Sequence, residues 1–293
     1  MKSLFDRVWR SLLLIVLFLV LYSIAMSIAT PPGLASLLTP EQAQRSGLMM
    51  IPVSALMAVV VAYLAVRSRW HGWRLAAALA AILYGVHTFL SQIESAVFAG
   101  VMSRMPSGLL GSLFLAGLLF AIPFCLLAVW IMRKTRTDPE AAQPNERLIM
   151  PPSEWAWKLA LIAILYVIVY FTFGYYVAWR TPGLPEYYGG QDVGFLPGFG
   201  NTMRDTPWLP FLQLLRSMIW TAIGCIIIRM HKGGVLETGI AVGLAFSILM
   251  AAPLLLPNPI MGDVVARAHL YELLSSNFVF GFLMSMILMW RRS

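Results

Sequence analysis

Apolar residues run along this chain in eight long stretches that short polar segments separate. None of the stretches alternates apolar with polar residues, and each is about twice the length of a membrane-barrel strand. A bilayer core about 30 Å thick is crossed by about 20 helical residues. The pattern therefore predicts an all-α, polytopic membrane protein with eight transmembrane helices. Their predicted limits are roughly 11–29, 49–66, 74–94, 108–132, 157–179, 209–229, 236–256 and 270–290.

The composition agrees with this pattern. Of the 293 residues, 59% are hydrophobic and 12% are charged, against about 25% charged residues in a soluble domain. A soluble protein of this size has too much surface to hide so many apolar side chains. Membrane lipids are therefore the expected partners. Cys125 and Cys225 each stand alone in an apolar run, so neither a disulfide framework nor a cysteine metal site is predicted.

The distribution of lysine and arginine predicts the orientation. Fifteen of these residues flank one set of helix ends, five flank the other set, and Arg216 lies inside a stretch. An even number of helices places both termini on the basic side, which is the cytoplasmic side of a plasma membrane, such as a bacterial inner membrane. The net charge of +8 is spread over these short clusters and forms no single stripe. A nucleic-acid partner is therefore not expected.

The two halves of the sequence resemble each other. Matched residues are 148 positions apart in the first helices and 160 to 164 apart beyond a longer loop near 184–206. The matches include Trp9 with Trp157, Tyr22 with Tyr170, Pro32-Gly33 with Pro182-Gly183, Arg67 with Arg229, and Trp130 with Trp290. Four helices return the chain to the same side of the membrane, so the pattern predicts two parallel four-helix repeats. The predicted units are 1–132 and 154–293, joined by a cytoplasmic linker at 133–153.

Ionisable residues inside an apolar stretch are costly, so they mark a site or an internal ion pair. The third, sixth and eighth helices carry such residues, and helical spacing gives each set one face. At a rise of 1.5 Å per residue all three sets fall in the outer half of the bilayer. The predicted ligand-binding cluster is His87, Glu94, Arg216, His269 and Glu272.

This predicted cluster is single. At the repeat offset Arg216 corresponds to Ser54, and His87 and Glu94 correspond to Leu249 and Leu256. The polar residues are thus not duplicated. The aromatic-rich loop at 180–208 either caps the cavity or forms an interfacial aromatic belt.

The sequence leaves three functions open. The leading prediction is an outward-facing polar pocket that binds or transports a small polar or lipid-like substrate. A structural or assembly subunit needs the same polar residues only for helix pairing. A membrane-embedded metal-dependent hydrolase would use the two histidines and two glutamates as ligands. Because no zinc-protease helix motif and no phosphate-binding loop occurs, the leading prediction is a non-enzyme without cofactor or metal.

Cysteine labelling tests the orientation. In a variant that lacks Cys125 and Cys225, we expect an impermeant thiol reagent to modify Gly190→Cys but not Glu140→Cys in intact cells. Both should react after the membrane is permeabilised. The reverse pattern in intact cells would show that the orientation is wrong.

Overall fold

The computed structural model describes residues 2–31, 37–97, 108–136, 145–258 and 261–290. Within them, eight helices are long and apolar enough to cross a membrane, which confirms the predicted number and the all-α class. Two short helices lie between the fifth and the sixth of these. The helices are α1 (Lys2–Ala29), α2 (Pro40–Val66), α3 (Gly72–Val97), α4 (Leu109–Ile131), α5 (Pro152–Trp179), α6 (Leu184–Tyr187), α7 (Phe195–Asp205), α8 (Leu209–Met230), α9 (Val235–Ala251) and α10 (Asp263–Met289).

Helices α1, α2, α5 and α10 begin before their apolar stretches, because their first turns contain polar residues. In α2 the Thr39 hydroxyl accepts a hydrogen bond from the Gln42 N–H, and the Gln42 side-chain oxygen accepts one from the Thr39 N–H. This capping box starts the helix nine residues before the apolar run at 49–66. Hydropathy alone therefore locates a helix but not its end.

Helix packing follows one scheme in each half of the chain. In the first half α1 packs against α2 and α4, and α3 packs against α4; in the second half α5 packs against α8 and α10, and α9 packs against α10. The halves meet where α8 and α9 contact α2 and α3. The contact between α9 and α10 is close, since a Cβ added to Gly281 would lie 3.1 Å from the Gly243 Cα.

Two of the spanning helices contain π-helical segments. Residues Tyr84–Leu90 interrupt α3, and residues Gly174–Trp179 end α5. A π-helical segment has more residues per turn than an α-helix, so it rotates the faces that follow it. Side chains on either side of residues 84–90 are therefore not related by α-helical spacing.

One end of the bundle carries most of the basic residues and is called the basic end; the other is the distal end. At the basic end the loops after α2 and α8 pair through their backbones. The Arg69 N–H donates to the Met230 carbonyl at 2.7 Å, and the Lys232 N–H donates to the Arg67 carbonyl at 2.8 Å. This antiparallel bridge joins the two halves of the chain.

Side chains reinforce the basic end. The Arg67 guanidinium holds both carboxylate oxygens of Glu237, at 2.6 and 2.7 Å. Arg147, in the described part of the predicted linker, donates to the Thr238 hydroxyl at 2.8 Å and to the Gly233 carbonyl. Residues 137–144 of that linker, like Pro32-Gly33, lie outside the described residues. Asn145 and Arg147 tie the end of the linker to the second half, whereas Lys134 at its start bonds to Ser68 and Gly72 of the first half.

Lys158 is a buried basic residue near the start of a spanning helix. It lies in α5, and its side chain is 1% exposed. Its ammonium group pairs with Glu154 at 2.7 Å and donates to the backbone carbonyls of Leu288 and Trp290 at 3.1 and 2.7 Å. The lysine therefore satisfies carbonyls at the end of α10 that have no partner within the helix.

His231 is fully buried in the loop pairing at the basic end. Its Nδ1 accepts a hydrogen bond from the Gly233 N–H at 3.1 Å and lies 3.0 Å from the Thr238 hydroxyl. Burial is the main cause that lowers the pKa of His231 to about 4. The Glu237 carboxylate opposes this shift, and the neighbouring guanidinium groups add to it. The ring is therefore neutral in the folded protein at neutral pH.

This burial predicts a loss of stability in acid. Between pH 6.5 and 4 an unfolded chain protonates His231 while the folded chain does not, so stability falls as the pH falls through that window. The loss assigned to this residue is at most about 3 kcal/mol. We expect His231→Gln, which does not titrate, to flatten the pH dependence of thermal melts in detergent. Parallel curves for the variant and wild type would contradict the assignment.

Candidate functional site

An ion pair between Arg216 and Glu94 lies at the centre of a group of polar residues near the distal end of the bundle. This group is called the distal cluster. The Arg216 guanidinium on α8 donates to the Glu94 carboxylate on α3 at 3.0 Å and to the side-chain amide oxygen of Gln213 at 3.1 Å. The Arg216 side chain is 3% exposed and the Glu94 side chain is 29% exposed. Because Glu94 belongs to the first half and Arg216 to the second, the pair joins the two halves.

A second polar group stands beside it on α10. His269 Nδ1 lies 2.7 Å from a Glu272 carboxylate oxygen, and His269 Nε2 lies 3.1 Å from the Tyr188 hydroxyl. Tyr188 follows α6, so the loop between α5 and α8 reaches over the distal end of α10. The Glu94 carboxylate is close enough to interact electrostatically with His269. Four of the five predicted site residues thus form one cluster.

Two tyrosines of α5 complete the cluster. Tyr166 and Tyr170 both interact electrostatically with Glu94, Arg216 and Glu272. The Tyr166 hydroxyl accepts a hydrogen bond from the Trp220 indole at 3.1 Å, which leaves the hydroxyl hydrogen available for donation. The two rings lie one helical turn apart on the same face of α5.

His87 lies elsewhere, although sequence spacing placed it on one face with Glu94. Its ring centroid is 5.8 Å from that of Tyr22 and 6.4 Å from that of Phe120. It also hydrogen-bonds the Leu249 backbone on α9. The π-helical segment at 84–90 explains the difference, since it rotates His87 relative to Glu94. His87 is a separate, partly buried histidine among aromatic rings of the first half.

Several buried nitrogen donors in this region have no hydrogen-bond partner among the described residues. They are Arg216 Nε, Gln213 Nε2 and, further along α10, Asn277 Nδ2. The side-chain oxygen of Gln213 already accepts a hydrogen bond from Arg216, so the unpaired atom of this amide is its nitrogen. A buried donor without an acceptor costs about 1–3 kcal/mol. Such donors are consistent with a site that receives acceptor oxygens from a ligand.

Exposure rises from the centre of the cluster toward the distal end. The Arg216 and Glu272 side chains are 3% and 10% exposed, whereas His269 and Glu94 are 28% and 29% exposed. The more exposed members of the cluster are thus Glu94 and His269, and the most buried is Arg216.

That loop covers the distal end of the second half. Leu184 and Ala178 pack with Val265 and Ala268 in a small apolar cluster that fixes the loop on α10. The ring of Phe199 in α7 meets that of Phe171 in α5, with centroids 4.9 Å apart. The loop is thus part of the wall around the cluster.

The described residues contain no group of three or more histidines, cysteines or carboxylates placed to hold a metal ion. His269 and Glu272 stand together, but the proposed four-ligand set would also need His87, which lies apart. The hydrolase hypothesis therefore has no assembled metal site within the described ranges.

The tyrosines were missed by sequence reasoning. Tyr166 and Tyr170 are four residues apart in an apolar stretch, a spacing that could have marked them as one polar-tipped face. Nothing in the sequence pairs Tyr188 with His269, because 81 residues separate them and the loop carries no periodic pattern.

Comparison with known proteins gives no relative on which to base a function. The chain matches no protein-family model, no curated protein and no solved structure. What the distal cluster does must therefore be inferred from its own geometry.

Proposed function

We propose that this multi-pass membrane protein has a single outward-facing pocket at the distal cluster, which binds or transports a small polar or lipid-like substrate. One observation carries the proposal: Arg216 is almost fully buried, and both it and its neighbour Gln213 have donors without protein acceptors. A guanidinium that served only to pair helices would be expected to have all its donors satisfied.

The lysine and arginine distribution supports the outward direction. Along the sequence, fifteen of these residues flank one set of predicted helix ends, the set that includes the loops of the basic end, and five flank the other set. By the positive-inside rule the basic end and both termini are cytoplasmic, and the distal end faces outward across a plasma membrane. A substrate then reaches Arg216 from outside the cell or from the outer leaflet.

We also propose that the halves are parallel repeats, and three pairs of equivalent contacts support this. Asp6 pairs with Arg10 at 2.6 Å, and 148 positions later Glu154 pairs with Lys158 at 2.7 Å. The two backbone hydrogen bonds that join the loops at the basic end are also equivalent. At an offset of 163 the donor Arg69 corresponds to the donor Lys232, and the acceptor Arg67 corresponds to the acceptor Met230. A two-fold axis along the membrane normal would produce such reciprocal bonds.

Ring contacts supply the third pair. Phe18 meets Phe120 edge-to-face with centroids 4.6 Å apart, and Tyr166 meets Phe280 in the same way at 4.8 Å. The offsets are 148 and 160, the values that the sequence matches gave for these helices. Phe18 is the first-half equivalent of Tyr166, and it has no hydroxyl group. The repeat therefore supports one polar site in a bundle of two similar halves.

The second candidate function is structural. The 3.0 Å contact between Arg216 and Glu94 favours it, because a buried pair between α8 and α3 would by itself lock the halves together. The two candidates differ in what happens once the pair is removed as a unit. Helix pairing predicts restored stability and nothing else, whereas a pocket predicts restored folding with lost binding.

Arg216 variants separate these candidates. Arg216→Leu should lower the free energy of unfolding by about 3–5 kcal/mol, since it leaves Glu94 without its partner in a poorly solvated position. Combining it with Glu94→Gln should recover part of that loss. Arg45→Leu is the matched control, because its pair with Asp263 is more than half exposed and is worth at most about 1 kcal/mol.

Thermal melts in detergent measure these effects, and substrate binding is then measured on the double variant. A double variant that folds but binds no ligand supports the pocket. If Arg216→Leu melts like wild type, the buried cluster does not exist and the proposal is wrong.

A further inference from the structure

We infer that the ligand of the distal cluster is a zwitterion that carries an acidic group and an ammonium group a few bonds apart. The inference rests on the proposed function and specifies its substrate class. It follows from the way the described side chains divide into a donor side and an acceptor side.

The donor side belongs to α8. Arg216 Nε and Gln213 Nε2 come from residues one turn apart, which are 2% and 0% exposed. Each nitrogen lacks an acceptor among the described residues. A guanidinium and an amide side by side match two oxygens of a carboxylate or a phosphate.

The acceptor side combines carboxylates with rings. Glu272 on α10 and Glu94 on α3 are both near enough to Tyr166 and Tyr170 of α5 to interact electrostatically with them. A Cβ added to Gly174, one turn beyond Tyr170 on α5, would lie 3.8 Å from Glu272 Oε1. Ammonium groups are bound by carboxylates and by the faces of aromatic rings. This side of the cluster fits a primary ammonium group.

Charge counting favours a ligand with both groups. Arg216, Glu94 and Glu272 sum to −1 when His269 is neutral. An anion alone would make the net charge −2 in a poorly solvated position. A cation alone would leave Arg216 Nε and Gln213 Nε2 without acceptors. A zwitterion pairs both sides without adding net charge to the membrane interior.

Two sources offer this chemistry on the outer side of a membrane. A free α-amino acid carries the two groups on the same carbon atom, and an aminophosphate lipid headgroup carries them a few bonds apart. The experiment therefore uses a free solute and a lipid form of the same chemistry.

The probes are acetate, ethylamine, glycine, glycerophosphoethanolamine and lysophosphatidylethanolamine, each titrated into the full chain in detergent. Calorimetry and thermal shift report binding. We expect at least one of the three zwitterions to bind about tenfold or more tightly than acetate and ethylamine, since each of these loses one set of charged hydrogen bonds. Binding of glycine or glycerophosphoethanolamine identifies a solute site. Binding of the lyso-lipid alone identifies a headgroup site.

Variants locate the effect without removing the ion pair. Gln213→Met keeps the volume and removes the amide, and Glu272→Gln removes one carboxylate charge. Each should weaken zwitterion binding by about tenfold. Thr221→Val is the matched control, since Thr221 is buried on the same helix and bonds only within it, to the Ser217 carbonyl. It should leave the affinity unchanged.

Acetate or ethylamine binding as tightly as the zwitterions, with Gln213→Met still weakening it, would overturn the zwitterion and leave the pocket standing. If none of the probes binds the folded wild-type protein at millimolar concentration, both the zwitterion and the proposed pocket are overturned. Equal losses in Thr221→Val and Gln213→Met would also overturn the assignment, because they would reflect general destabilisation of α8.

Discussion

A bilayer interior holds no water, so a charge that enters it must be paired by the protein itself. Arg216 is the charge that meets this constraint near the distal end of the bundle. Its pair with Glu94 links α8 to α3 and so holds one half of the chain against the other. Gln213, on the same face of α8, and the tyrosines of α5 surround this guanidinium.

The two ends of the bundle satisfy their polar groups in different ways. At the basic end the paired loops, the bidentate contact of Arg67 with Glu237 and the donors of Lys158 join protein groups to one another. At the distal end Arg216 Nε and Gln213 Nε2 have no acceptor among the described residues, while the other two guanidinium nitrogens of Arg216 donate to Glu94 and Gln213. His231 Nε2 at the basic end also lacks a hydrogen-bond partner among the described residues, but it lies 3.9 Å from the Glu237 carboxylate. The basic end is therefore mainly a structural junction, whereas the distal end has two unpaired donors one turn apart on the same helix, as the proposed ligand site requires.

The contrast between His87 and Glu94 shows how far periodicity extends. Both residues were placed on one helical face at i and i+7, which is correct for a regular α-helix. The π-helical turn between Tyr84 and Leu90 breaks that relation, and His87 packs with Tyr22 and Phe120 instead. The sequence of the segment carries no signal for the extra residue in the turn, because the wider turn is fixed by packing against neighbouring helices.

The sequence by itself determined the eight helices, the charge asymmetry and the isolation of Arg216, because hydropathy and charge act along the chain and need no partner. Tertiary structure decided which residues join Arg216. Glu94 lies 122 positions away, and Tyr188 reaches His269 across 81 positions, and no local pattern encodes such distances. Only the packing of α3, α5, α8 and α10 brings these groups together, because each buried charge selects its partner among the helices that the folded bundle makes adjacent.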